Sequence, residues 1–182
     1  MDKKYCFGSI FLYNNLEVKY MERKGKSVKE SKVETYHIIR PSDLNDANRL
    51  FGGTLMSWID EVAALVGKRH ASMNVTTLSI DRLHFLRGVF VSDTVFISGK
   101  VTYVGNTSME IKVDSYVEHM SGERELVNTA FLTLVGLDDN NKPAKLPNLI
   151  LETEEEKKEW NEAKMRKDLR KEYQELGFNF YG

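Results

Sequence analysis

Gly52-Gly53-Thr54-Leu55-Met56-Ser57-Trp58-Ile59-Asp60-Glu61-Val62-Ala63-Ala64-Leu65-Val66 is the stretch that decides how this chain folds. Leu55, Trp58, Ile59, Val62, Leu65 and Val66 recur at i, i+3 and i+4, the period of a helix with one apolar face. The pattern predicts a helix that opens at the two glycines and runs to about Ala71. Runs of β-branched and aromatic residues lie on either side: Val33 to Arg40 before it, then Val75 to Phe85, Thr94 to Val104, Ser108 to Glu118 and Arg124 to Leu137. Pro41 ends the first run, and Ser42 to Phe51 is polar and turn-like. Gly88-Val89, Gly105-Asn106 and Ser121-Gly122 separate the later runs, which predicts antiparallel neighbours in a four-stranded meander. One long helix with about five antiparallel strands is an α+β layout, with the sheet wrapped around the helix.

Composition bounds the rest. A chain of 182 residues with 41% hydrophobic side chains builds one domain with a real core, which excludes wholesale disorder. Its 26 basic and 27 acidic residues leave a net charge of −1, with no electrostatic footprint for nucleic acid. The single cysteine, Cys6, excludes a disulfide framework and a Cys-based zinc site. The longest apolar run, Val62 to Val66, is far short of the ~20 residues that span a bilayer. A soluble, cytoplasmic protein with no membrane partner is expected.

The ends differ from the middle. Residues 1–30 are expected to form an extension outside the domain, and Met21 is a plausible start of its own. Residues 31–148 form the domain, and residues 149–182 a charged helical tail. From Glu152 to Glu175 nine acidic and seven basic residues alternate among good helix formers, with i,i+4 pairs such as Glu154–Lys158 and Glu162–Arg166. Trp160, Leu169, Tyr173 and Leu176 are too sparse for a continuous apolar stripe. The tail reads as a solvated helix or, in a sharper reading, as a lid or an oligomer clamp.

Asp60 is the most informative residue of the central helix. On a helical wheel it falls among Met56, Ala63, Ala64 and Gly67, away from the charged stripe of Glu61 and Lys68. Small neighbours let a backbone or a substrate approach, and partial desolvation there suits a carboxylate to general-base work. Gly52-Gly53 supplies the second feature. Free N–H groups at the positive end of the helix bind an anion or stabilise a developing oxyanion, and glycine lets the ligand come close. Gly53 and Asp60 are seven residues apart, about 10 Å along the helix axis.

Asn45-Asp46-Ala47-Asn48-Arg49-Leu50-Phe51, continuing through Gly52-Gly53 to Ala63, resembles the central-helix signature of the hotdog-fold acyl-CoA thioesterases. The closer similarity is to the bacterial cytosolic acyl-CoA hydrolase branch, shared with the animal cytosolic and brain enzymes. It continues through Ser79-Ile80-Asp81 to Phe85, then Gly105-Asn106-Thr107-Ser108-Met109-Glu110, and covers roughly Val33 to Leu146. The sequence departs from its relatives at Arg49, where a small or polar residue is common. The resemblance implies a hotdog fold and acyl-CoA hydrolysis at sites in a dimer interface, in a homodimer that often assembles into a trimer of dimers. Asp60 is then the general base or the nucleophile, Asn45 orients water or the carboxylate, and Gly52 or Gly53 supplies the oxyanion N–H. The Gly105, Asn106, Thr107 and Ser108 turn is the expected contact for the CoA part of the substrate. This chemistry needs no metal or redox cofactor.

Other residues carry less. His37, His70, His84 and His119 lack metal-ligand spacing, and His84 is expected in the core or an interface. Arg82 and Arg87 read as phosphate partners or surface residues. Ser57 and Ser79 lack the G-x-S-x-G context of a serine-hydrolase elbow. A non-catalytic acyl-CoA-binding or regulatory module on the same fold is the alternative, but binding alone needs no carboxylate beside the thioester.

Overall fold

In chain order the elements are β1 (Lys26–Ser27), a helical turn α1 (Val28–Ser31), β2 (Val33–Ile38), α2 (Gly52–Ala71), β3 (Asn74–Asp81), β4 (Thr94–Val104), β5 (Ser108–Glu118), β6 (Arg124–Leu137), β7 (Leu149–Ile150) and α3 (Glu154–Glu175). This computed structural model describes residues 25–81 and 83–176; Cys6, Met21 and Arg82 lie outside the described residues. No described helix is long and apolar enough to cross a membrane.

Five strands form one antiparallel sheet in the order β2-β4-β5-β6-β3. The α+β layout is as expected, but the four-stranded meander is corrected. Only β4, β5 and β6 run as hairpins; β3 pairs with β6, on the far side of the sheet from β4. The connection from Asp81 to Thr94 is too long for a tight hairpin and does not fold back on β3. Its backbone bonds go elsewhere: Leu86 N–H to Val127 O at 2.8 Å, and Leu50 N–H to Val89 O at 2.8 Å. β2 and β3 therefore become the two edges.

The sheet curls around α2, which buries Leu55, Ile59, Val62, Ala63 and Val66 against it. Two glycines allow the close approach. A Cβ on Gly67 of α2 would lie 2.9 Å from Leu134 Cδ2, and one on Gly99 of β4 would lie 2.7 Å from Val62 Cγ1. α2 ends with Ser72 in the left-handed region at φ 51°, after Lys68 and Arg69 set positive charge against the negative end of the helix.

Segments on both flanks pack onto this body. β1 pairs in parallel with β7, and Val28 and Ser31 of α1 are buried. Fully buried His70 ties these segments to α2. Its Nε2 donates to the Pro147 carbonyl at 3.2 Å, because a carbonyl can only accept, and Nδ1 then accepts from the Ser31 hydroxyl at 3.1 Å. Burial holds this imidazole below its ordinary pKa. His84, by contrast, is exposed in the single chain.

α3 does not stand free in solvent. It lies across the face of the sheet opposite α2, with Ala163 fully buried and Trp160 packed 5.3 Å from the Tyr103 ring centre. Ion pairs supply most of the remaining contact: Glu159 with Lys100 at 2.7 Å, Arg166 with Glu110 at 2.8 Å and Arg170 with Asp81 at 2.6 Å. Lys112 loses hydration on burial there, yet Asp114 and Glu159 outweigh that loss and raise its pKa.

Candidate active site

The loop before α2 is a closed, self-bonded unit. Pro41–Asp43 makes a 3₁₀ turn, with Arg40 N–H donating to Asp43 Oδ2 at 2.8 Å. Asn45 N–H bonds Arg49 O at 2.8 Å, and Asn48 turns the chain at φ 56°. The Asn45 Oδ1 atom accepts from Ala47 N–H at 2.9 Å and Arg49 N–H at 3.2 Å. Arg49 thus joins the loop through its backbone, and its side chain lies against Gly88, where a Cβ would meet its Cδ at 3.3 Å. Phe51 N–H to Asp43 O, at 2.8 Å, ties the loop to the start of the helix.

α2 opens without a side-chain cap. Thr54 and Leu55 N–H both bond Phe51 O, at 3.0 and 3.2 Å, so the N–H groups of Gly52 and Gly53 precede the first intrahelical donor. Both glycines lie against exposed aromatic rings that an added side chain would push aside. A Cβ on Gly53 would lie 2.5 Å from Phe51 Cε1, and one on Gly52 would lie 3.2 Å from Phe85 Cζ. Asn45, Gly52, Leu55, Phe85, Arg87 and Gly88 are among the residues lining one cavity of about 450 Å³.

Asp60 is not part of that cavity wall. It sits two turns further along α2, half-buried, and accepts a hydrogen bond from the Thr77 hydroxyl of β3 at 2.6 Å. Sequence reasoning does not single out Thr77. Its signal is the period-2 alternation of the run from Val75, which turns Val75 and Thr77 to the same face. Val75 meets Gly67 of α2, so that face is the helix side.

The Gly105 to Ser108 turn lies elsewhere. Ser108 borders a separate cleft of about 250 Å³ with Ser79, Tyr103, Lys167 and Arg170 among its walls. The carbonyls of Asn106, Thr107 and Ser108 accept from Leu146, Gly136 and Gly105 at 2.8–3.0 Å. One chain therefore brings Asn45 and Gly52 together, and holds Asp60 and the 105–108 turn apart from them. The two elements joined at Asp60 expose apolar residues in the single chain: Met56 and Leu65 on α2, and Leu78 and Ile80 on the edge strand β3, with Leu78 also lining the cleft under α3.

Residues 47–121 match the family model described as the thioesterase superfamily. Over 144 residues the chain is 45% identical to an uncharacterized acyl-CoA thioester hydrolase of Bacillus subtilis, covering 79% of this chain and 84% of that protein. It is 37% identical to the cytosolic acyl coenzyme A thioester hydrolase of Rattus norvegicus over 77% of this chain, but spans only 38% of that protein's length. Among solved structures, a hexameric acyl-CoA thioesterase in its apo form superposes with a TM-score of 0.78 at 37% identity, covering 82% of this chain and 96% of that one. The acyl-CoA hydrolase of Staphylococcus aureus in complex with butyryl coenzyme A, coenzyme A and coenzyme A disulfide gives a TM-score of 0.78 at 34% identity, covering 84% of this chain and 93% of that one. That hydrolase has also been solved with an asparagine, an aspartate and a threonine individually replaced by alanine. Those three positions are separated by 15 and 17 residues, as are Asn45, Asp60 and Thr77.

Proposed function

The chain belongs to the acyl-CoA thioester hydrolases of the thioesterase superfamily, and from that we propose that it cleaves acyl-CoA to a free fatty acid and CoA with Asp60, Asn45 and the N–H groups of Gly52 and Gly53. The observation that carries the reading is the uncapped head of α2. Gly52 borders the cavity that Asn45 lines, Gly53 follows it in the same uncapped turn, and Thr77 fixes a carboxylate further along the same helix.

In this reading a thioester carbonyl sits at the helix start, polarised by Gly52 or Gly53, and each such donor contributes about 2.7–4 kcal/mol once the oxyanion develops. Asp60 removes a proton from water, the hydroxide adds to the carbonyl carbon, and collapse of the tetrahedral intermediate breaks the C–S bond. The Asp60 proton then passes to the departing thiolate. Direct attack by Asp60, giving a mixed anhydride that water cleaves, uses the same groups. With Oδ1 of Asn45 held by the loop, its Nδ2 is the donor available to water or substrate.

We place the complete site between two copies of the chain, with Asn45 and the helix start from one protomer and Asp60 with Thr77 from the other. The separation of Asp60 from the Asn45 cavity supports this, as do the free edge of β3 and the exposed Met56, Leu65, Leu78 and Ile80. The hexameric relative supports further assembly into a trimer of dimers. The Gly105-Asn106-Thr107-Ser108 turn remains our choice for the CoA contact, and the cytosol for the reaction, as in the rat relative's name.

Release of free thiol from short- to long-chain acyl-CoAs tests the reading, with wild type beside Asp60→Asn. Loss of a general base is expected to lower turnover by at least ~10²-fold while acyl-CoA binding survives. Equal turnover in the variant would move the chemistry away from Asp60. Saturable binding without turnover by wild type would leave a binding module.

A further inference from the structure

The cavity at the head of α2 carries a charge that the hydrolysis described above does not use. Both charged residues of its wall are arginines, Arg49 and Arg87, and among the described residues no carboxylate lines it. Arg87 has a counter-charge, in an ion pair with Glu125 of β6. Arg49 has none, since among the described residues no carboxylate pairs with it. Its backbone N–H and carbonyl bond Asn45 at 3.2 and 2.8 Å, so the loop closes without help from the side chain. That side chain is nonetheless seated. Its stem lies over Gly88, where a Cβ would meet Arg49 Cδ at 3.3 Å, Arg49 Nε at 3.5 Å and Phe90 Cζ at 3.3 Å. The bare Gly88 backbone is what leaves room for it. Leu50, Leu55, Val89 and Val127, all apolar, form part of the remaining wall.

A guanidinium without a counter-charge, beside an apolar wall, matches a carboxylate, which it holds through two parallel N–H···O bonds. We propose that Arg49 is a specificity-determining residue that selects acyl groups ending in a carboxylate, so that the substrates are CoA thioesters of short dicarboxylic acids. This rests on the acyl-CoA reading above, with the thioester carbonyl at Gly52. Arg49 lies three residues before Gly52, at most about 11 Å of backbone, and both line the same cavity. A few methylene groups therefore join the two ends, running over the apolar wall from the Gly52 N–H to the guanidinium. A phosphoryl group of CoA also suits a guanidinium, but every acyl-CoA carries the same phosphates. Only an acyl carboxylate makes Arg49 discriminate between acyl groups.

Free-thiol release, corrected for the enzyme-free rate, tests this on the full-length protein. The substrates are malonyl-, succinyl- and glutaryl-CoA, each beside the monocarboxylic thioester of equal carbon number: propionyl-, butyryl- and valeryl-CoA. Wild type is expected to give a kcat/KM about tenfold higher or more for at least one carboxylated thioester than for its counterpart. That is the low end for a hydrogen bond to a charged group, because Arg49 is exposed to water in the single chain. Arg49→Met keeps an unbranched stem over Gly88 and should bring the ratio near one. Arg49→Lys keeps the charge without the fork and should retain only part of the preference. A variant that merely disturbs the Asn45 loop lowers both series together and leaves the ratio as in wild type, which overturns the proposal. A wild type that favours no carboxylated thioester overturns it whatever the variants do. If wild type hydrolyses neither series, the hydrolase reading fails, and titration calorimetry decides Arg49. A carboxylated thioester must then bind about tenfold tighter than its counterpart to wild type and no tighter to Arg49→Met; equal binding to wild type overturns the proposal.

Discussion

Glu110 is the ionic pivot of α3, and removing its partner gives a quantitative test of how that helix is held. The carboxylate is 2% exposed and takes hydrogen bonds from Arg166 Nη2 at 2.8 Å, Arg166 Nε at 3.2 Å and the Thr102 hydroxyl at 2.8 Å, with Arg170 Nη2 at 3.6 Å. Arg166→Met keeps an unbranched chain over the Phe131 ring, where the guanidinium carbon now lies 3.9 Å from the centroid. Breaking a buried pair by removing one member costs about 3–5 kcal/mol. Thr102 and Arg170 remain beside Glu110, which puts the expected loss at the low end, about 3 kcal/mol. Glu110→Gln leaves a guanidinium whose side chain is 23% exposed and partly hydrated, so a smaller loss of about 1–2 kcal/mol is expected. The double variant pairs two neutral side chains and should lose about 1 kcal/mol more than Glu110→Gln alone, giving a coupling near 2 kcal/mol. Urea unfolding followed by circular dichroism, at one fixed protomer concentration because assembly contributes to stability, measures the cycle. A coupling below about 0.5 kcal/mol would show that α3 is not held through this pair.

Three further outcomes are expected. Thr77→Val removes a hydrogen bond to a charged group, worth about 1.5–3 kcal/mol, and should lower kcat about tenfold or more, whereas Thr77→Ser should retain activity; a Ser variant as poor as Val would remove Thr77 from its positioning role. Burial lowers the His70 pKa in the fold, so below the ordinary histidine value of 6.5 the unfolded chain takes up the extra proton. Stability from this group is complete above pH 6.5 and falls as the pH drops toward the depressed folded value, and a His70→Asn variant should lack that part of the slope in urea titrations at stepped pH. Leu78→Glu places a charge on the exposed edge of β3, which should shift light scattering toward monomer and cost activity as fully as loss of Asp60 does, ~10²-fold; a fully active monomer would end the shared-site reading.

The limits of α2, β4, β5 and β6 follow from apolar period and turn residues, because alternation and the 3.6-residue repeat are local properties. Gly52 and Gly53 stand out for a local reason too, since a Gly-Gly opening a helix after a polar loop states its free N–H groups in the sequence itself, whereas Asn45 is named only by the resemblance to the hotdog thioesterases. Three things were decided only by tertiary structure. The partner of β3 depends on where the connection from Asp81 to Thr94 makes its hydrogen bonds, and those run to Val127 and to Leu50 rather than to a neighbouring hairpin strand. The Thr77 hydroxyl reaches Asp60 only after α2 has docked on the sheet, a contact across 17 residues that no spacing rule contains. The charged face of α3 looks the same in sequence whether it meets water or Glu110, Asp81 and Lys112, because ion pairing to a distant strand leaves no apolar periodicity. The chain by itself determined which residues could do chemistry, and the packing of helix on sheet determined which of them stand together.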